Sequence, residues 1–187
     1  MKPSTLKQIL LITDGCSNQG TDPAAMAAFA REQGITVNVI GVMENDTIDE
    51  QGLGEIEAIA AAGGGVSQVV YAEALSHTVQ MVTRKAMTTT IQGVVNQELK
   101  QILGRSLSVE DLPPDKRGEI IEVVDELSET SALEVLVLVD TSASMKHKIP
   151  TVKESLIDLS ISLNSRIGDN KFAIFIFPGK RRDVEKL

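Results

Sequence analysis

The sequence predicts an α/β fold, doubly wound around a mostly parallel sheet, from two kinds of segment that alternate along the chain. Short apolar segments rich in Val and Ile, such as Ile35–Val42 and Leu133–Val139, are typical of strands buried on both faces of a parallel sheet. Longer segments, such as Thr151–Ile167, carry apolar residues at helical spacing. The strand–helix–glycine–strand order around Gly34 predicts a right-handed crossover between parallel strands.

The boundaries of these elements follow from local residue preferences. Asp22 and Pro23 favour the beginning of the first helix, because an N-cap residue followed by proline suits helix initiation. Strands are expected at Lys7–Thr13, Ile35–Val42, Val66–Ala72, Leu133–Val139 and Lys171–Phe177. Helices are expected at Ala24–Gln33, Leu53–Ala62, Glu73–Thr90, Val94–Leu103, Pro114–Leu127 and Thr151–Ile167.

Helical spacing also groups apolar residues on single faces of these helices. Such groups are Met26, Phe29 and Ala30; Leu75, Val79, Val82 and Ala86; Ile120, Val123, Val124 and Leu127; and Val152, Leu156, Leu159 and Leu163. Each of the four groups is long enough to form one side of a helix that packs on a neighbour.

The composition narrows the classes of function. A chain of 187 residues suits one domain, or one domain with a small appendage, and its core must be aliphatic because aromatic residues are only 3%. The net charge of −8 disfavours nucleic acid and anionic membranes as partners. A single cysteine, Cys16, fits a reducing compartment. Since no segment resembles a signal peptide or a membrane span, we expect a cytoplasmic protein.

The chain divides into three parts by the kind of element that each contains. Residues 1–92 and 132–187 contain the expected strands, whereas residues 93–131 are helical and are interrupted by Gly104 and by Pro113 and Pro114. We expect residues 93–131 to form a helical segment between two parts that contain the strands.

Two further segments partly resemble ligand-binding motifs, one a calcium loop and the other a phosphate-binding loop. The acidic segment Glu44–Glu50 lacks the glycine and the terminal glutamate of a calcium loop, so a solvated loop is expected there. The three glycines Gly63, Gly64 and Gly65 are not followed by the Lys-Ser/Thr pair of a phosphate-binding loop. They predict a flexible turn between a helix and a strand.

The segment most informative about function is Asp-Thr-Ser-Ala-Ser, which directly follows the strand Leu133–Val139. Ligands in open α/β sheets bind outside the carboxyl ends of strands. Asp140, Ser142 and Ser144 offer three hard oxygens on alternate residues, which suits Mg²⁺ or Mn²⁺. The alternative is a polar turn whose side chains cap the next helix.

This D-x-S-x-S motif resembles the metal-ion-dependent adhesion site of von Willebrand factor A domains. In that family an apolar strand ending in T-D-G supplies a further aspartate, and here QILLITDG supplies Asp14. The resemblance implies a site built from Asp140, Ser142, Ser144 and Asp14. Because the T-D-G motif precedes the D-x-S-x-S motif in this chain, the resemblance implies a circularly permuted domain. Residues 1–92 would be the C-terminal half of the family fold and residues 132–187 its N-terminal half, joined into one incomplete composite domain by residues 93–131 as a helical linker.

Other parts of the family pattern are missing from the sequence. The family adds a Thr from a second loop, but no G-x-T-x-P segment occurs, and Thr21 and Thr141 lie in other contexts. An antiparallel edge strand and one or two helices are also expected after Gly179, so the chain resembles a fragment. Apolar sheet surface left open costs about 25 cal/mol per Å², so we expect marginal stability or association, including a homo-oligomer.

The resemblance implies a protein-interaction module in which a partner's acidic side chain completes the coordination of the metal. It extends to small family members of spore-forming bacteria, which suggests a role in sporulation. One alternative is a phosphoryl-transfer enzyme with Asp140 as nucleophile, although such enzymes place a second carboxylate where Ser142 stands. His77 and His147 carry no triad signature and are expected at the surface. Another alternative is a truncated remnant without a competent site.

Overall fold

The computed structural model describes residues 5–15, 17, 20–43, 50–103, 109–178 and 185–186. The strands are β1 (Leu6–Thr13), β2 (Ile35–Met43), β3 (Gly64–Tyr71), β4 (Leu133–Asp140), β5 (Asn170–Phe177) and β6 (Glu185–Lys186). The helices are α1 (Pro23–Glu32), α2 (Glu50–Ala62), α3 (Leu75–Leu103), α4 (Pro114–Thr130) and α5 (Ile149–Asn164).

The strands form one sheet in the order β3-β2-β1-β4-β5-β6. The first five of these are parallel to one another, and β6 pairs antiparallel with β5 at the edge. The doubly wound, mostly parallel α/β fold predicted from the sequence is therefore confirmed. The two central strands, β1 and β4, are far apart in sequence and adjacent in space.

Helices cover both faces of the sheet, but unequally. On one face α3, α4 and α5 enclose the larger core, in which Val79, Val137 and Leu159 are almost fully buried. On the other face α1 and α2 enclose a smaller core around Val39 and Ile56. The outward residues of β4 on this second face, including Leu138, are only half-buried. The second face is thus covered mainly over β2 and β3.

The longest helix differs from the sequence prediction. Two helices were expected at Glu73–Thr90 and Val94–Leu103, but α3 is continuous through the segment between them, which contains Gly93. A glycine inside a helix costs about 1 kcal/mol relative to alanine, which is too little to end a helix that packs well on both sides of it. Ile91 before the glycine is buried and Val95 after it packs on the larger core, so tertiary contacts hold the helix together.

Three smaller expectations are also corrected. Gly64 and Gly65 belong to β3 instead of preceding it, because the strand pairs with β2 from Gly64 onward. The antiparallel edge strand expected to be absent is present as the two residues of β6. Met26 and Phe29 are 52% and 57% exposed, because α1 turns the small side chain of Ala27 toward the core instead.

The expected faces of α3 and α5 are confirmed, since all eight residues grouped on them are buried. The face expected on α4 is confirmed in part. Val124 is buried and Ile120 packs on the larger core, whereas Val123 and Leu127 are exposed. Among the described residues, no helix combines the length and the apolar character that crossing a membrane requires.

Candidate functional site

The two sequence motifs meet at the carboxyl ends of β1 and β4. These strands pair in parallel, with Leu6 opposite Leu133 and Ile12 opposite Val139. Both strands therefore end at the same edge of the sheet, β1 at Thr13 and β4 at Asp140, and Asp14 directly follows β1. Parallel pairing of two apolar strands is what brings residues more than a hundred positions apart into one site.

Asp140 is fixed by hydrogen bonds to both of its carboxylate oxygens. The backbone amide of Ser142 donates to Oδ1 at 2.8 Å, and the hydroxyl of Thr13 donates to Oδ2 at 2.8 Å. The residue is 8% exposed, so the carboxylate is held in one orientation at the rim of the sheet. Sequence reasoning placed Thr13 at the end of a strand and in the T-D-G motif, but it did not predict the hydrogen bond from its hydroxyl to Asp140.

The two serines and Asp14 form a short chain of hydrogen bonds beside Asp140. The hydroxyl of Ser144 donates to Asp14 Oδ1 at 2.9 Å, and the two serine hydroxyl oxygens are 3.1 Å apart. Because a hydroxyl has one hydrogen and Ser144 gives it to Asp14, Ser142 is the donor between the serines. The structure therefore brings together all four residues expected at the site.

A lysine that the sequence analysis did not consider also enters the site. Lys148 Nζ donates to Asp14 Oδ2 at 2.6 Å, and the two side chains are only 9% and 4% exposed. Lys148 follows Ser144 by four residues and immediately precedes α5. Since the sequence presents it as part of a polar turn, no local pattern indicates that it is buried against a carboxylate.

Neither Thr21 nor Thr141 takes the place of the threonine that the family pattern adds. The Thr141 hydroxyl donates to the carbonyl oxygen of Phe177 at 3.0 Å, and its backbone amide donates to the same oxygen at 2.6 Å. Thr141 thus attaches the loop after β4 to the end of β5. Thr21 is exposed in the loop before α1.

The loop after β1 is attached to α2 by a glutamate that was also missed. The backbone amide of Ser17 donates to Glu55 Oε1 at 2.8 Å. Cys16, the neighbour of Ser17, lies outside the described residues, as does the acidic segment 44–49. His77 and His147 are exposed, as expected.

An apolar cleft of about 510 Å³ opens beside the site on the less covered face of the sheet. Ile9, Leu11 and Leu138 form its floor, and Asp140 lies at its end. The cleft exists because α1 and α2 do not extend over β4, so a polar site and apolar sheet surface are contiguous.

The oxygen donors are of the kind that a hard divalent cation prefers, and the two serine hydroxyls also have a suitable spacing. Mg²⁺ prefers six oxygen ligands at 2.0–2.1 Å, so neighbouring ligands lie about 2.9 Å apart, close to the 3.1 Å between the hydroxyl oxygens of Ser142 and Ser144. The hydroxyl hydrogens are directed along the chain toward Asp14, which leaves lone pairs of both oxygens for a ligand. In the part of the chain that the structure describes, no three residues among His, Cys, Asp and Glu cluster as a metal site. Any metal site here therefore depends on hydroxyl oxygens.

Comparison with known proteins agrees with the fold and the motifs. A profile of the von Willebrand factor type A domain matches residues 1–85, which include the T-D-G motif but not the D-x-S-x-S motif. The chain belongs to the von Willebrand factor type A domain family. Domains of this family are general protein-interaction modules and commonly bind metal.

Within this family the chain has similar relatives. It is 71% identical over 185 residues to a Bacillus subtilis (strain 168) protein titled "Uncharacterized protein YabS", which covers 99% of this chain and 76% of that relative. It is also similar to the crystal structure of an uncharacterized protein from Alicyclobacillus acidocaldarius subsp. acidocaldarius DSM 446. That structure has a TM-score of 0.90 and 46% identity, and the match covers 97% of this chain and 78% of the other.

Proposed function

We propose that this protein is a divalent-metal-dependent interaction module that binds an acidic side chain of a partner protein. The observation that supports the proposal is the hydrogen-bonded chain of Ser142, Ser144 and Asp14 beside the buried carboxylate of Asp140. Two hydroxyls and two carboxylates meet there although they come from two distant parts of the sequence. A polar turn that only caps a helix would not need the aspartate of another strand.

Each residue has a separate role in the proposed site. Asp140 supplies negative charge and is too firmly hydrogen-bonded to reorient. Ser142 and Ser144 supply neutral oxygen ligands, and Asp14 orients the hydroxyl of Ser144. Bound Mg²⁺ or Mn²⁺ would supply the positive charge that an incoming carboxylate requires. Few protein charges suffice at such a site, because the partner contributes one.

The phosphoryl-transfer alternative has less support. An attacking carboxylate of this kind needs a nearby general acid. The position two residues after Asp140 is a serine, which cannot supply that acid at neutral pH. We therefore propose a binding role, with residues 93–131 as the helical linker between two halves of a permuted domain.

Calorimetric titration of Mg²⁺ and of Mn²⁺ tests the metal site. We expect saturable binding to the wild type and its loss in Asp140→Asn, which keeps the size of the side chain but removes the charge. Asp125→Asn, which removes an exposed carboxylate on α4, is the matched control and should bind as the wild type does. A folded wild-type protein that binds neither ion would contradict the proposal.

The partner chemistry is tested by a second titration at saturating Mg²⁺. A short peptide with one glutamate should bind, and the same peptide with glutamine should not. Binding of both peptides with equal affinity, or binding that persists in a metal chelator, would argue against recognition of a carboxylate through the metal.

A further inference from the structure

Lys148 and Asp14 form the most deeply buried ion pair among the described residues. Their side chains are 9% and 4% exposed, whereas at least a third of each side chain is exposed in the pairs Arg84–Glu129, Lys116–Glu119 and Lys171–Glu134. Removing two charges from water is costly and is offset only by close contact between them. The 2.6 Å distance from Lys148 Nζ to Asp14 Oδ2 provides that contact at the centre of the proposed site.

Helix formation does not account for a lysine at this position. Lys148 is the N-cap residue of α5, and its side chain makes no capping hydrogen bond. A lysine has no acceptor for the free amide groups of the first helical turn, and its positive charge stands at the positive end of the helix dipole. Local helix preferences therefore disfavour lysine at this position, and the ion pair with Asp14 is the interaction that favours it.

The lysine changes the charge of the proposed site. Asp14 and Asp140 contribute two negative charges and Lys148 contributes one positive charge, which leaves one net negative charge. With a divalent cation added, the site would carry one net positive charge, which a single carboxylate neutralises. Without the lysine, the cation alone would neutralise the site, and a carboxylate would then add an uncompensated charge.

We propose, on the basis of the proposed function, that Lys148 is the residue that sets the selectivity of this site for an anionic partner at the expense of affinity for the metal. Its ammonium group repels the cation and engages one oxygen of Asp14, so it weakens metal binding. The same positive charge strengthens the attraction of the metal-loaded site for a carboxylate. The two affinities must therefore change in opposite directions when the charge is removed.

The test uses Lys148→Met, which keeps a long side chain without charge, and Lys146→Met, which removes a neighbouring exposed lysine as the matched control. Calorimetry gives the Kd for Mg²⁺, and then the Kd for the glutamate peptide at saturating Mg²⁺. In Lys148→Met we expect Mg²⁺ to bind about tenfold more tightly and the peptide about tenfold more weakly. In Lys146→Met both constants should stay within about twofold, because exposed charges are screened.

Lys148→Gln is the second variant, since its amide can still donate to Asp14 and so protects folding if Lys148→Met is unstable. One outcome is that the wild type binds Mg²⁺ and the folded Lys148 variants have the same Kd for Mg²⁺ and for the peptide as the wild type. That outcome would overturn the role of Lys148 and leave the metal site intact. Absence of Mg²⁺ binding in the wild type but its appearance in Lys148→Gln would overturn the proposed role, because the lysine would then exclude the cation instead of adjusting the selectivity of a metal-loaded site. Absence of binding in both folded proteins would overturn both proposals.

Discussion

The hydroxyl of Thr13 donates a hydrogen bond to the carboxylate of Asp140 at 2.8 Å, across 127 residues of sequence. Thr13 ends β1 and Asp140 ends β4, and both are less than a tenth exposed. The bond therefore links the T-D-G motif to the D-x-S-x-S motif below the surface, where water cannot replace it. The orientation of Asp140 depends on a residue of the other motif.

Thr13→Val should destabilise the protein by about 1–3 kcal/mol, because it keeps the shape of the side chain but leaves a buried carboxylate oxygen without its donor. Urea denaturation followed by circular dichroism gives the free energy of unfolding. Thr89→Val, at an exposed position of α3, is the control and should change that free energy by less than about 0.5 kcal/mol. Equal effects of the two substitutions would mean that the bond contributes nothing measurable.

Ser144→Ala should separate binding from stability. The hydroxyl of Ser144 is exposed and connects Ser142 to Asp14 by hydrogen bonds. Its loss removes one proposed ligand oxygen and the hydroxyl that donates to Asp14 Oδ1. We expect the Kd for Mg²⁺ to rise about tenfold or more while the free energy of unfolding changes by less than about 0.5 kcal/mol. Ser160→Ala on α5 is the control for both measurements. Unchanged Mg²⁺ affinity in Ser144→Ala would remove this serine from the proposed site.

The sequence was sufficient to predict the sheet and the meeting of the two motifs. Each motif follows an apolar segment whose length and composition are typical of a buried parallel strand, and strands of that kind end at a common edge. The meeting of Asp14 and Asp140 was implied by the resemblance to von Willebrand factor A domains, because membership of one sheet does not by itself make β1 and β4 neighbours. The permuted chain order and the linker role of residues 93–131 stay predictions.

The partners of those carboxylates could not be predicted, because nothing local indicates them. Lys148 lies in a turn whose neighbours Lys146 and His147 are exposed, and only the arrival of Asp14 from β1 makes its burial favourable. Thr13 is an ordinary residue for the end of a strand, so nothing local indicates its hydrogen bond to Asp140. Side-chain contacts between distant segments depend on tertiary packing, which hydrophobic periodicity does not describe.

Gly65, at the beginning of β3, shows how close packing, which the sequence pattern does not reveal, changes the interpretation of a motif. A Cβ atom on Gly65 would lie 2.0 Å from the carbonyl oxygen of Val37 and 2.6 Å from its carbonyl carbon. This close approach coincides with the irregular register between β2 and β3. Gly65 is therefore required by the neighbouring backbone and not by the flexibility of a turn.

Gly65→Ala should destabilise the protein by roughly 3 kcal/mol, because the clash is with backbone atoms that cannot move without breaking the strand pairing. Gly54→Ala in α2 is the matched control: no atom lies within 4 Å of its added Cβ, and alanine favours a helix by about 1 kcal/mol. Thermal unfolding of both variants should therefore give midpoint shifts of opposite sign. A Gly65→Ala protein as stable as the wild type would show that β2 and β3 can separate at this point.

The surface pair Glu134 and Lys171 allows a test of the register between β4 and β5. The two residues are direct neighbours across the strands, and Lys171 Nζ donates to Glu134 Oε1 at 2.8 Å. This hydrogen bond, together with the positive charge of Lys171, lowers the pKa of Glu134 below its ordinary value. The same contact raises the pKa of Lys171 above its ordinary value.

The signs of these shifts fix the pH range in which the pair stabilises the fold. Since the pKa of Glu134 is lower in the folded state, its contribution is complete above the ordinary glutamate pKa and is lost as the pH falls through the lowered value. The contribution of Lys171 is complete below the ordinary lysine pKa and is lost as the pH rises through the raised value. Glu134→Gln should therefore cause a small loss of thermal stability at neutral pH, which disappears in acid and shrinks at high salt. Glu122→Gln, at an exposed position of α4, is the control and should show no such pH dependence. If the effect of Glu134→Gln on thermal stability were constant with pH, the pair would contribute no charge interaction. The register between β4 and β5 would then be held by the apolar residues alone.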